Sequence, residues 1–233
     1  MRTPTKSLTA LLSAGIVVAA LAGCSQSGTG DSSQSGAGSS APAASSAAPS
    51  AAPTPALKTE IGGKTTAITL DAGFLKALTT LKLTPGTIGS ATLSKAGVLT
   101  FPITGGNVTY YDPATKVRPY VQGEIDHDGS GLSLSAGGKK VELKDFVIDP
   151  GNNSHVSGDV YLNGKSVVKG ANLFRLDGST LNPVTMDGDA YVLEGTTVYV
   201  SEDAAALLNK TFGTDAVTGD LKVGVAKLTV TGK

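Results

Sequence analysis

The stretch Gly123–Asp149 reads GEIDHDGSGLSLSAGGKKVELKDFVID. Leu132 and Leu134 alternate with serines, Gly137-Gly138 interrupts the run, and Val141 and Leu143 resume it. Period-two alternation on both sides of a glycine pair predicts two half-buried strands joined by a tight turn. His127, one of 2 histidines in the chain, stands just ahead of this alternation between Asp126 and Asp128. It shares the apolar face of its strand with Val121, Gly123 and Ile125.

Working outward, the same alternation recurs. Lys64–Leu70, Thr87–Leu93, Val98–Ile103 and Asn107–Tyr111 read as strands ahead of the hairpin. Pro102 cannot donate to a ladder, so its strand should lie at an edge or bulge there. After the hairpin come Val156–Leu162, Val167–Leu176, Ala190–Val200 and Leu221–Val230, punctuated by Asn163-Gly164 and Asp187-Gly188. Asn-Gly is a strong two-residue hairpin signal.

Two short helices interrupt the strands. Asp71 can cap one that carries Phe74, Leu75, Leu78 and Leu81 on one face. Ser201 can cap the other, with Glu202 and Asp203 in its first turn and Gly213 as its stop. Each helix is followed by a strand of the form apolar-Gly-x-Ala-x-Leu, at Ile88–Leu93 and at Val223–Leu228. That echo predicts pseudo-repeated strand–helix–strand units.

The N-terminus belongs to a different class of sequence. Arg2 and Lys6 precede an apolar run from Leu8 to Ala20, and Leu21-Ala22-Gly23-Cys24 follows. The run is short for a stable membrane span, and small residues close it, so residues 1–23 read as a secretory signal. Cys24 directly after Leu-Ala-Gly resembles the lipobox of bacterial lipoproteins, which implies lipidation of Cys24 and an anchor on the extracellular side of the cell membrane. Cys24 is the 1 cysteine of the chain. The expectation is therefore a fold held by core burial, without an internal disulfide. Ser25–Ala56 is made of small and polar residues and Pro, with Asp31 as its charge. Such a segment buries too little to offset the entropy of ordering it. As a coil it would hold a domain roughly 30 Å from its anchor. Leu57–Lys233 remains as one β-rich domain.

Charge excludes some partners. The chain has 19 basic and 19 acidic residues, and two of the basic ones sit in the signal. Near-balance leaves no electrostatic footprint for nucleic acid.

The chemistry-bearing motifs are sparse. His127 can be a ligand to haem or metal, or a histidine satisfied at the end of a sheet. His155 is the other histidine and lies in a polar loop. No HxH or HxxxH spacing supports zinc. Asp126-x-Asp128-x-Ser130-Gly131 copies the opening of a calcium loop, but the twelfth position is Gly137 where a bidentate Glu is needed. No Gly-x-Ser-x-Gly elbow, phosphate loop or dinucleotide fingerprint is present. Six tyrosines, among them Tyr120, could line a ligand surface.

Two resemblances bear on this. Thr100–Gly106, Gly123–Gly129, Leu132–Gly138, Val141–Asp149 and Ala204–Gly213 together look like a group of secreted bacterial β-proteins without known activity. More distantly, His127-x-Gly129 followed by Gly131-Leu132-x-Leu134 is similar to a segment of the HtaA-type haem-binding domain of surface haem-uptake proteins. That similarity implies a β-rich fold and a haem held by a tyrosine that a histidine supports. It supplies no matching position for the tyrosine, and the family's Trp-containing opening is absent because the chain has 0 tryptophans.

The expectation is a mainly β, antiparallel β-sandwich, Ig-like or HtaA-like, with two short helices. Its expected role is non-catalytic, in adhesion, envelope structure or ligand presentation, with a cell-envelope or protein partner and no cofactor. The alternative is a haem- or small-ligand-binding uptake protein. The candidate ligand-binding residues are His127, Tyr120, Asp126 and Asp128.

Overall fold

Gly137 and Gly138 adopt φ of 56° and 74°, and Ala136 pairs with Lys139 across them. Two successive positive φ values form the mirror-image turn whose twist matches antiparallel strands. In the computed structural model, which describes residues 52–233, this turn joins the two strands read from Gly123–Asp149. The signal, Cys24 and most of the linker lie outside the described residues.

In chain order the first half contains β1 (Leu57–Leu70), α1 (Ala72–Thr80), β2 (Thr84–Gly89), β3 (Thr92–Leu93), β4 (Val98–Pro102), β5 (Gly105–Tyr110) and β6 (Val121–Ala136). The second half contains β7 (Lys139–Asp149), β8 (His155–Leu162), β9 (Lys165–Asp177), β10 (Thr185–Asp187), β11 (Ala190–Val200), α2 (Glu202–Phe212) and β12 (Lys222–Gly232). Every strand pairing is antiparallel. The mainly β, antiparallel architecture with two short helices is therefore what the chain forms.

The strands form one continuous sheet. Pairing runs β1–β12–β11–β9–β8–β7–β6–β5 and returns to β1, because β5 pairs with Leu57–Glu60. A hydrogen-bonded ring of this kind leaves no free edge along its circuit. β2, β4 with β3, and β10 attach to β6, β1 and β11 outside that ring. Pro102 falls at the end of β4, beyond the two residues that β3 covers.

Both helices start as the caps predict. The Asp71 carboxylate accepts from the Gly73 N–H at 2.8 Å, and the Ser201 hydroxyl accepts from the Ala204 N–H at 3.0 Å. Gly213 ends α2 in the left-handed region. The strand–helix–strand order recurs, but its partners differ. β12 turns back onto β11 and buries Gly224, Ala226 and Leu228, whereas β2 departs to β6 and leaves Gly89 exposed. The second unit contributes both of its strands to the ring, whereas the first contributes β1 alone.

The interior is one apolar cluster. Ile61, Val108, Val141, Val160 and Val230 are fully buried within it, each removing an aliphatic side chain worth about 1.5–3 kcal/mol from water. Among the described residues no helix is long and apolar enough to cross a membrane.

Candidate functional site

The alternation that packs this interior changes phase at one place. Val121, Ile125 and His127 point inward from β6, but Leu132 and Leu134 do so after them. On β7 the inward set switches from Val141 and Leu143 to Phe146 and Ile148. Between the His127–Phe146 and Gly131–Lys144 pairs, β6 carries three residues against Asp145 alone. Asp145 takes φ 52° and its carboxylate accepts from the Gly129 N–H at 2.8 Å, while the Ser130 hydroxyl donates to the His127 carbonyl at 3.0 Å. This bulge is what the calcium-like motif builds. It ends the strand's regular ladder just after His127 and aims that side chain inward.

The His127 ring is 1% exposed, and both of its nitrogens are occupied. Nδ1 lies 3.3 Å from the Phe146 carbonyl and Nε2 lies 2.8 Å from the Thr66 hydroxyl. A carbonyl can only accept, so Nδ1 carries the proton and Nε2 accepts from Thr66. Burial pushes the imidazole pKa down to about 4, against the smaller opposing pull of the Phe146 and Ile125 backbone groups. The ring is neutral at physiological pH. Phe101 meets it edge-on at 6.4 Å and meets Phe146 at 5.3 Å.

Beside this group the ring of strands is not filled. A cavity of about 390 Å³ extends along the interior. Its wall is formed by side chains such as Ile68, Phe101, Leu132, Phe174, Leu193 and Leu228. Three loops surround its mouth: Arg118–Tyr120 before β6, Pro150–Ser154 between β7 and β8, and Gly178–Leu181 after β9. The volume falls within the usual range for small-molecule sites, and the lining is apolar with few polar groups, as such sites generally are.

Two of the four candidate residues border this cavity. His127 and Tyr120 both line the cavity. Tyr120 packs edge-on against Tyr110 at 6.3 Å and donates its hydroxyl to the Gly178 carbonyl. Burial raises its phenol pKa, and the neighbouring Tyr110 adds to that. Asp126 and Asp128 alternate onto the other face of β6 and do not line the cavity. Asp126 is half-buried there and its carboxyl is raised by that burial and then by Asp128, which is exposed. Of the remaining tyrosines, Tyr161 stacks under Lys144 and Tyr199 under Arg175, each with the cation 4.3 Å from the ring centre. Neither lines the cavity. His155 bonds the Asn153 carbonyl at 2.8 Å, away from the cavity. Among the described residues no three His, Cys, Asp or Glu side chains converge as a metal site requires.

The sequence reading missed the wall itself. Phe101, Phe146, Phe174, Leu176 and Leu193 carry the same inward alternation as ordinary core residues. A wall of a cavity and a packed core write the same pattern.

Comparison with solved structures bears on the fold. The C-terminal domain of HtaA from Corynebacterium glutamicum matches with a TM-score of 0.52 at 13% identity, covering 74% of this chain and 98% of that one. The fold is that of the HtaA C-terminal domain. A domain-swapped dimer of a histidine-to-alanine variant of the same domain matches with a TM-score of 0.42, also at 13% identity, over 69% of this chain and 92% of that one. No protein-family model matches the sequence, and no curated protein does either.

Proposed function

We propose that this chain is a non-catalytic binding module that encloses a small apolar molecule inside its ring of strands. The module would be tethered through lipidated Cys24 to the extracellular side of the cell membrane. The observation that carries the reading is the cavity of about 390 Å³, apolar along its wall and open between three loops. An enclosed apolar ligand would gain about 25 cal/mol for each Å² removed from water. The linker's composition suits a tether that keeps the mouth accessible above the membrane.

Haem binding is the second reading, favoured by the shared fold and by Tyr120 and His127 lining one cavity. The residues present do not fit a haem iron in this arrangement. His127 Nε2, the nitrogen that would ligate, is held by the Thr66 hydroxyl, and the Tyr120 hydroxyl is committed to Gly178. A raised phenol pKa also works against the phenolate that an iron would select. The apolar reading needs no such rearrangement.

Titration of the full chain with an apolar naphthylamine dye tests the first reading, with saturable one-site enhancement expected. No saturable enhancement would contradict it. Haemin titration separates the second. A Soret shift lost in Tyr120→Phe or His127→Ala would establish haem ligation, and an unchanged spectrum is the outcome expected here. For the anchor, Cys24→Ser should move the protein from the membrane fraction to the soluble fraction. Retention on the membrane would contradict lipid tethering.

A further inference from the structure

The rim of the cavity differs from its wall in one respect. Among the residues bounding the cavity, Arg118 is the one with a permanent charge. It is exposed, and its guanidinium carbon lies 5.7 Å from the centre of the Tyr120 ring, which is itself part of the wall. Nη1 donates to the Val117 carbonyl at 2.7 Å and reaches the Pro113 carbonyl at 3.5 Å. Among the described residues no carboxylate pairs with it. Its Nη2 and Nε groups therefore remain as donors on a side chain steadied by two carbonyls and an aromatic ring. Asn152 and Ser179 add neutral polar groups to the same rim.

Carboxylates flanking the rim loops are occupied in local turns, beginning with Asp112, which accepts from the Ala114 N–H at 2.8 Å. Asp149 accepts from the Gly151 N–H at 2.7 Å, and Asp177 accepts from the Ser179 N–H and hydroxyl at 3.0 and 2.6 Å. Each closes its own turn. Inside the cavity no cationic side chain can pair with an anion, since the one basic group there is the neutral His127, with both ring nitrogens already bonded. A buried, unpaired charge is strongly unfavourable. A negative group on the ligand would have to stay at the mouth.

We propose that the cavity takes a carboxylate-headed amphiphile, its apolar tail within the ring of strands and its head on Arg118 at the rim. This rests on the reading above that the cavity binds an apolar molecule. The planar guanidinium fork matches a carboxylate better than an ammonium would. An exposed charge-assisted pair should favour the acid over a neutral head by roughly three- to tenfold in Kd.

The test compares dodecanoate with dodecanol on the full chain by calorimetry. Wild type should bind the acid more tightly, and the preference should shrink in high salt. Arg118→Gln should bring the affinities for the acid and the alcohol together. Arg118→Lys should retain part of the preference. Equal affinity for acid and alcohol in wild type, or a preference untouched by Arg118→Gln, would overturn the head-group assignment alone. Failure of both ligands to bind would overturn the apolar-ligand reading and this one with it.

Discussion

Two parts of one interior are filled differently. Around Val141, Leu143 and Val160, side chains from β7 and β8 interlock and leave no space. Around Leu132, Phe174 and Leu176 the same kind of side chain faces a void and stays partly exposed to it. Both sets are apolar, both alternate, and both belong to one cluster. The bulge at Asp128–Ser130 opposite Asp145 lies near the boundary between them, although Leu132, which pairs with Leu143 beyond it, also lines the cavity. The bulge changes the phase of β6 and β7 and divides the interlocked Val141 and Leu143 from Phe146 and Ile148 on the cavity wall. Stability resides at the packed end and ligand space at the other.

If that division holds, truncation should be costly at one end and cheap at the other. Leu143→Ala, at a fully packed site, should lower unfolding free energy by about 3–4 kcal/mol in denaturant titration. A loss near zero would mean that the packed end is not packed.

The second effect is a pH dependence that belongs to the boundary between the two parts. The folded His127 pKa, about 4, lies below the unfolded value of 6.5. Between those values the unfolded chain binds the extra proton and the folded one does not. Stability from this residue is therefore complete above pH 6.5, falls as pH drops toward 4, and levels off below it. The total loss should be roughly 3 kcal/mol. His127→Gln should flatten that slope, whereas Leu143→Ala should shift the whole curve and keep its slope. A wild-type curve flat across this range would show that the ring is not sealed from water.

The smallest effect is expected at the wall. Leu132→Ala enlarges a space that already exists, so its cost should stay below about 1 kcal/mol. Its effect should fall instead on affinity for an apolar ligand. A cost as large as that of Leu143→Ala would erase the distinction.

Much of this was legible from residues. The alternation of Leu132 and Leu134 with Val141 and Leu143 located the central hairpin, and Asn163-Gly164 located the next, with Leu162 paired to Lys165 across it. Asp71, Ser201 and Gly213 marked the helix ends. Those features are local, and local chemistry decides them. The ring closure was not legible, because it depends on which distant strands β5 and β12 select. The repeat Gly-x-Ala-x-Leu suggested equivalent roles for two strands that pair quite differently. β10 is three exposed residues whose pattern carries no periodicity.

The site divides in the same way. His127 was legible as an inward-facing residue from its place beside Ile125, and its partner Thr66, on a strand far away in sequence, was not. Asp126 and Asp128 were drawn in as candidates by adjacency to His127. A strand sends neighbours to opposite faces, and it separates them from the cavity.

The most direct test of the central claim is methyl NMR of the full chain during titration with dodecanol. Resonances of Leu132, Leu176, Leu193 and Val198 should shift in saturable fashion while those of Val141, Leu143 and Val160 stay in place. Shifts confined to exposed Val167 and Val168, or no saturable shift at all, would contradict a ligand enclosed within the ring of strands.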